Sequence, residues 1–297
     1  MTGSRQETVV LGFPEHQLPA ERFAKAAGLD YADIQTHSFP DGESLVRLPK
    51  RLPPHVVLYC SLSDPNRNLI ELELAMATAT RLGAERLTLI APYLCYMRQD
   101  KAFHPGEAVS QRVIGDLLAR RLDTLITVDP HLHRTHRLGA AVPVRYAKAV
   151  SSATVLADWV AGRMSEPLLV GPDEESEQWV RSVARQGGYD YCVARKERLG
   201  DRDVHVELPD YGFSGRNVLL IDDVASTGHT LAETAKQAVH SGAADVSVLV
   251  THALFVDGAL ERLKDAGVSD ISTTDSVPHA TNCVHLDRLL ADALLAI

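Results

Sequence analysis

Two adjacent acids, Asp222 and Asp223, lie within the most informative stretch of this sequence, residues 218–230. Four apolar residues, Val218 to Ile221, precede them, and Ala225, Ser226, Thr227, Gly228, His229 and Thr230 come shortly after. The apolar run reads as a buried parallel strand, with the acids expected just beyond its carboxyl end. A helix is expected from about Leu231, with Leu231, Ala235, Ala238 and Val239 on one face and Ser241-Gly242 as its stop. Hydroxyls and free backbone N–H groups at a helix start suit a phosphate, because the helix dipole favours an anion there. Adjacent carboxylates repel one another and need cations or hydroxyl donors close by, and ribose hydroxyls are such donors. The chemistry implied is the holding of a phosphorylated sugar. An ordinary βα turn with a capped helix start explains the hydroxyl residues but not the acid pair. A Walker-type Gly-Lys-Ser/Thr is absent, which excludes a nucleoside triphosphatase loop of that kind.

Other residue groups also sit where chemistry is possible. Arg98, Gln99, Asp100 and Lys101 close a loop that contains Tyr93 and Tyr96. Cations there suit a nucleotide phosphate and a tyrosine suits a base; a solvated loop is the alternative. Phe39-Pro40-Asp41-Gly42-Glu43 is strong turn chemistry and reads as a hairpin tip. An exposed Phe39 beside Asp41 and Glu43 suits stacking on a base and accepting from its amino group, against the alternative of an ordinary turn.

Asp129-Pro130-His131-Leu132-His133 follows another apolar run. His-x-His after a strand also occurs in metal hydrolases of the amidohydrolase class, but His205, His240 and His252 do not supply the later ligands that class needs. Asp129 with one neighbouring histidine better fits a substrate-bound Mg²⁺, which takes few protein ligands and keeps its waters. Asp173 is placed to hold a second ion or ribose hydroxyls, or to cap the helix that follows. Lys196 and Arg198 enter a polar segment and suit a movable lid over a phosphoryl-transfer site, or a solvent-facing edge strand.

These residues need a frame. Apolar runs at 8–11, 56–59, 86–90, 125–128, 167–170, 191–194, 218–221, 246–251 and 270–274 predict strands. Helical periods lie between them, at 20–27, 69–82, 110–121, 154–160, 177–185, from 231, at 259–266 and at 287–297. In 69–82, Glu71 and Glu73 are expected to face solvent. Strand–helix alternation means parallel sheets covered on both faces. The unusual polar loops all follow strand carboxyl ends, where open α/β sheets bind ligands. With 297 residues, two doubly wound α/β domains are expected, the first over 1–148 and the second over 149–284.

Composition narrows the setting. The chain is 45% hydrophobic and 23% charged, as globular proteins are. No apolar run is long enough to span a bilayer, and the start lacks a signal-peptide core. Four dispersed cysteines without a Cys-x-x-Cys indicate neither a zinc ribbon nor a disulfide framework, so a cytoplasmic location with reduced thiols is expected. A net charge of −9 argues against general nucleic-acid binding, and anionic substrates would need local cations or metal ions.

Taken together and in order, these motifs resemble the ribose-phosphate pyrophosphokinase (phosphoribosyl diphosphate synthetase) family. The resemblance runs from about Phe39 to Pro278. It rests on the Phe39–Glu43 turn, Pro92-Tyr93 with Arg98-Gln99-Asp100-Lys101, Pro105-Gly106-Glu107 with Ser110, Val128-Asp129-Pro130-His131, Pro172-Asp173, Lys196-Glu197-Arg198, the 218–230 stretch and Thr251-His252. The chain looks closer to the short, archaeal-type members than to the common bacterial form.

The resemblance implies two phosphoribosyltransferase-like domains, with the final helix 285–297 packing on the first. It implies ATP between Arg98, Gln99 and Asp100 of one subunit and Phe39, Asp41 and Glu43 of its neighbour, in a homo-oligomer built from dimers. It implies Mg²⁺ positioned by His131 and Asp173. Ribose 5-phosphate would lie on Asp222 and Asp223, with its phosphate on Ser226, Thr227, Gly228, His229 and Thr230. Lys196 and Arg198 would be the catalytic cations, and diphosphoryl transfer would give phosphoribosyl diphosphate and AMP.

The chain departs from the family pattern in several places. Ser226 stands where a third acid is frequent, His229 where glycine is frequent, Pro130 where an aliphatic residue is usual, and Glu174-Glu175-Ser176 where small residues are usual. Two other functions share part of the pattern. A phosphoribosyltransferase has the acid pair and phosphate loop without the Phe39 turn and Arg98-Gln99-Asp100. A non-catalytic regulatory subunit resembles the enzyme but can lose the Lys196–Arg198 segment.

Overall fold

A computed structural model describes residues 7–198 and 204–297. The chain divides into two compact units. The first comprises the residues up to Ser151 together with Leu286–Ile297, and the second comprises Ser152–His285.

The first unit contains β1 (Thr8–Gly12), α1 (Gln17–Ala27), β2 (Asp30–Asp33), β3 (Gln35–Ser38), β4 (Ser44–Arg47), β5 (His55–Tyr59), α2 (Pro65–Arg81), β6 (Arg86–Ala91), α3 (Ser110–Ala119), β7 (Thr124–Val128), α4 (Leu138–Ala141) and β8 (Tyr146–Val150). Six of its strands form one sheet in the order β2-β1-β5-β6-β7-β8, all parallel. β3 and β4 form a separate antiparallel hairpin.

The second unit contains α5 (Ala153–Ala161), β9 (Leu168–Gly171), α6 (Glu177–Gly187), β10 (Tyr191–Val193), β11 (Arg195–Arg198), β12 (Val204–Glu207), β13 (Asn217–Ala225), α7 (His229–His240), β14 (Asp245–Ala253), α8 (Ala259–Asp265), β15 (Asp270–Thr274) and β16 (Asn282–Val284). Its parallel sheet runs β10-β9-β13-β14-β15-β16, and β11 pairs antiparallel with β12. The last helix, α9 (Asp287–Leu295), returns to the first unit and packs on α1.

The central strands show why the runs are continuously apolar. In β13, Val218 and Leu220 pack into the core on one face, with Leu168, Val170 and Val248. Leu219 and Ile221 pack on the opposite face, with Leu169, Leu249, Leu156 and Val180. Successive side chains of a strand point to opposite faces, so a sheet covered on both sides needs apolar residues at every position. Of the four edge strands, which have one neighbour each, β2, β8 and β16 carry no such run and their sequences do not announce them, whereas β10 was expected from 191–194.

Two expectations need correction. β13 does not end at Ile221; it continues through both acids to Ala225, pairing Asp222 with Val250 and Val224 with His252 of β14. Glu71 does not face solvent. It is 1% exposed and accepts from Ser44 Oγ at 2.9 Å and from Arg67 Nε at 3.0 Å. Arg67 also pairs with Glu15 at 2.7 Å. Glu73 is half-buried and pairs with Arg121. Glu71 lies where its helix packs against β4, and a charge buried there is retained because it finds partners.

Glu71→Ala removes two acceptor bonds from a buried position and leaves Ser44 without its partner. Urea denaturation should show a loss of about 2 kcal/mol. A loss below about 0.5 kcal/mol would mean that water satisfies these groups as well as Glu71 does.

Candidate functional site

In the second unit β9 and β13 are neighbours, and the chain turns outward in opposite directions from them, to β10 on one side and β14 on the other. This is the topological switch point, and a crevice opens there at the carboxyl ends of the strands. Asp173 stands two residues beyond β9, and Asp222 and Asp223 lie near the end of β13.

Asp173 caps a 3₁₀ turn over Glu174–Ser176. Its carboxylate accepts from the Ser176 N–H at 3.2 Å, so its capping role is realised. Asp222 is half-buried and Asp223 is 3% exposed, and the Asp223 N–H donates to Asp222 Oδ1 at 2.9 Å. Desolvation, then the charges of Asp223 and Asp173, push the Asp222 carboxyl well above its ordinary value. The field at Asp222 therefore shows three carboxylates converging on one crevice.

Ser226, Thr227 and Gly228 link β13 to α7. Gly228 adopts φ +70°, the left-handed region that favours glycine, and its carbonyl takes the first helical bond, from the Ala232 N–H at 2.9 Å. The loop is tied down from behind. Ser226 O accepts from the Val256 N–H at 3.2 Å, and Thr227 O accepts from the Arg262 guanidinium. These bonds use carbonyls. The first-turn N–H groups of a helix have no intrahelical partner and remain directed outward. α7 begins at His229, earlier than the expected Leu231, so His229 and Thr230 are its first two residues. Thr227 and His229 are exposed, and Ser226 and Thr230 are half-buried.

The first-unit candidates also follow strand or hairpin turns. At the tip between β3 and β4, the Phe39 N–H donates to Glu43 O at 2.8 Å and the Glu43 N–H donates to Asp41 Oδ1 at 3.2 Å. Gly42 at φ +91° makes the turn possible. Phe39 is 40% exposed and stands edge-on to His37, with ring centroids 4.8 Å apart.

After β6, Arg98 is exposed, while Gln99 accepts from Ser110 Oγ at 2.5 Å. Asp100 accepts from the Arg134 N–H at 3.1 Å and from its guanidinium at 2.9 Å. Burial opposes ionisation of Asp100, but the hydrogen bonds and charge of Arg134 outweigh it and hold this carboxyl below its ordinary value. Arg134 is a residue the sequence reading missed; it lies just past His133 and carries no motif of its own. Of the two tyrosines in this loop, Tyr96 donates to Asn66 Oδ1 at 2.6 Å from a left-handed backbone at φ +62°.

Asp129 directly follows β7 in a left-handed conformation, φ +35°, and is 7% exposed. The rings of His131 and His133 meet edge to face at 4.3 Å.

The structure thus brings Asp173, Asp222, Asp223 and the 226–230 loop together within the second unit. It places the Phe39 tip, the Arg98 loop and His131 in the first. The backbone of Lys196 and Arg198 lies on β11, opposite Val206 and Val204. The polar segment 199–203 after it lies outside the described residues. No helix among the described residues is long and apolar enough to cross a membrane.

A doubly wound unit with an acid pair before a Ser-Thr-Gly helix start defines a protein of the phosphoribosyl-transfer class. Residues 147–288 match the phosphoribosyl transferase domain, and residues 8–121 match the N-terminal domain of ribose phosphate pyrophosphokinase. The chain is 35% identical to the ribose-phosphate pyrophosphokinase of Methanopyrus kandleri over 96% of its own length and 98% of the relative's. It is 34% identical to that of Sulfolobus acidocaldarius over 89% of its own length and 91% of the relative's. In fold it is similar to the phosphoribosylpyrophosphate synthetase of Mycobacterium smegmatis, with a TM-score of 0.82 over 98% of each chain at 23% identity. The chain belongs to the ribose-phosphate pyrophosphokinase family, and it is an enzyme of that type. The match over residues 8–121 is what separates it from a phosphoribosyltransferase, whose reaction needs no such domain.

An acid whose pKa rises on folding binds protons that the unfolded chain has released. The stability of such a protein falls as pH rises from the ordinary carboxylate range through the raised value. Asp222→Asn removes that penalty. Without ligands and with chelator present, the variant should be more stable than the parent near neutral pH by at least about 1 kcal/mol. The difference should shrink as pH is lowered through about 4 and below, as the unfolded chain's carboxyl takes up its proton as well. A gap that does not change with pH would show that the charge of Asp222 is not the cause.

Proposed function

We propose that this protein transfers the diphosphoryl group of ATP to the C1 hydroxyl of ribose 5-phosphate, giving phosphoribosyl diphosphate and AMP, with Mg²⁺ required. The observation that carries this reading is the second unit's crevice, where an acid pair faces a hydroxyl-lined helix start. Ribose hydroxyls donate to Asp222 and Asp223, which relieves their repulsion. The 5-phosphate accepts from Ser226, Thr227 and Thr230 and from the backbone N–H groups of Gly228 and His229, at the positive end of α7.

The donor side belongs to the first unit. Phe39 stacks on adenine while Asp41 and Glu43 accept from it. Arg98 and Gln99 hold the phosphates, and Asp100, its carboxylate held by Arg134, completes this side of the ATP site. In this reading the Phe39 tip serves a neighbouring subunit's ATP, so the working form is a homo-oligomer built from dimers, in the cytoplasm.

The C1 hydroxyl oxygen attacks the β-phosphorus and loses its proton. The bond from that phosphorus to the α–β bridging oxygen breaks, and its electron pair leaves with AMP. Charge spreads over the transferring group, and Lys196 and Arg198 stabilise it. Asp173 offers carboxylate oxygen beside the acid pair, a donor that suits a hard cation, and His131 offers a ring nitrogen, a softer donor, in the first unit. Mg²⁺ held by these residues would neutralise phosphate charge.

AMP release in the presence of ATP, ribose 5-phosphate and Mg²⁺ tests the reaction. It should require all three and should scale with phosphoribosyl diphosphate formed. Lys196→Ala should keep the fold and lower kcat by about a thousandfold, as for comparable cations in phosphoryl transfer. Turnover within about tenfold of the parent would remove Lys196 from the catalytic role.

A further inference from the structure

The first unit carries a pocket of about 410 Å³ that the proposed reaction does not use. His55, Arg86, Thr124 and Tyr146, which line it, are the first residues of β5, β6, β7 and β8. The candidate site residues of this unit follow carboxyl ends or the hairpin turn. The pocket therefore lies at the opposite, amino-terminal edge of the same parallel sheet.

Its polar wall has a defined protonation pattern. The Arg86 guanidinium donates to His55 Nδ1 at 2.8 Å. Arginine only donates, so Nδ1 accepts and the ring hydrogen sits on Nε2, which donates to Thr88 Oγ1 at 2.9 Å. Burial, and after it the charge of Arg86, hold the His55 pKa down at about 4, so the ring is neutral at physiological pH. The second cation, Arg145, lies over the Tyr146 ring at 5.2 Å. Both arginines thus rest against uncharged partners, and neither forms an ion pair with a described residue. The one acid in the lining, Asp123, already accepts from the Leu87 N–H at 2.9 Å. Two cationic side chains and one acidic side chain line this cavity, with Ile297 also in its lining, in a chain whose net charge is −9.

The remaining wall is apolar. Leu294 and Leu295 of α9 line it, and Leu295 is 65% exposed beside Tyr146 at 47%. The volume is in the range that takes a small molecule, and apolar walls with a few convergent polar groups are what such sites share.

We propose that this pocket binds a small organic anion that joins one carboxylate or phosphate group to one apolar or aromatic ring. The oxyanion lies on Arg86 and Arg145, for which a planar guanidinium is the suited partner. The ring lies against Leu294, Leu295 and Tyr146 and covers the surface they expose.

Calorimetric titration of the full-length protein with benzoate and with phenyl phosphate tests this, with phenol as the uncharged control. Saturable binding of one or both anions is expected at low-millimolar concentrations or below, and whichever binds more tightly identifies the headgroup. Arg145 is exposed, so Arg145→Gln should fold normally and release AMP like the parent while weakening the anion by about tenfold, the cost of a lost charge-assisted contact. Arg145→Lys should weaken it less. Anion binding that is equal in the parent, Arg145→Gln and Arg86→Gln would place the probe elsewhere, for phenyl phosphate on the 226–230 loop, and overturn the proposal. So would phenol binding as well as the anions, or no saturable binding at all. None of these outcomes bears on the diphosphoryl-transfer reading, which AMP release tests separately.

Discussion

Like charge gathered at the end of a buried strand is the constraint on which the second unit depends. A parallel sheet covered on both faces has no room for carboxylates along its strands. They are tolerated only where the strand reaches the crevice, and there they still repel. β13 meets this by running on through the acids. Asp222 is half-buried and Asp223 buried, and they stay close enough for the charge of Asp223 to push the Asp222 carboxyl up. Asp173 then adds a third charge from the neighbouring strand. The arrangement costs stability by itself and is relieved by hydroxyl donors or a cation. It has the character of a site whose charge is balanced by what it binds.

The two units use one strand order twice, with an antiparallel pair inserted after the second sheet strand in each. Their switch points are equipped differently. In the second unit the crevice between β9 and β13 carries the acids and the hydroxyl loop. In the first, the corresponding position between β1 and β5 is occupied by the chain's own ion pairs. Glu15, just after β1, pairs with Arg67 in the first turn of α2, and Arg67 pairs in turn with the buried Glu71, which also accepts from Ser44. A crevice satisfied internally has little affinity to offer a ligand. The polar loops of the first unit stand instead after β6 and β7, one strand or two farther along the sheet. The same fold thus carries its acids and hydroxyl loop at the switch point in one copy and its polar loops farther along the sheet in the other.

Much of this was legible in the sequence, for physical reasons. Strands buried on both faces must be continuously apolar, so β5, β6, β7, β13 and β14 announce themselves. Pro40-Asp41-Gly42 admits few conformations, and a Ser-Thr-Gly cluster before a helical period fixes a helix start. What was not legible depends on partners distant in sequence. Glu71 reads as a surface residue on periodicity, because nothing nearby shows that Ser44, 27 positions away, will reach it. Asp100 reads as a free ligand group until Arg134, 34 positions on, is brought against it. The edge strands β2, β8 and β16 escape because a single neighbour demands no apolar run, although the edge strand β10 happens to have one. The end of β13 was misplaced because acids normally stop strands, whereas here the ladder to β14 carries them.

The departures from the family pattern follow the same electrostatic logic. A third acid at position 226 would add its charge to a crevice where Asp222, Asp223 and Asp173 already converge, and would raise the Asp222 pKa further. Ser226 supplies a hydroxyl instead, while its carbonyl keeps the loop tied to Val256. The negative charge of this region stands instead at Glu174 and Glu175, both exposed, in the turn capped by Asp173. Exposed charge is screened within about 10 Å at ordinary ionic strength, whereas charge at the strand end is not. The chain therefore keeps an acidic rim that attracts a cation while limiting the repulsion inside the crevice. That trade favours acids that are partly protonated or held by a cation, and it locates the tuning of their charge in the turn after β9 and not in the 226–228 loop.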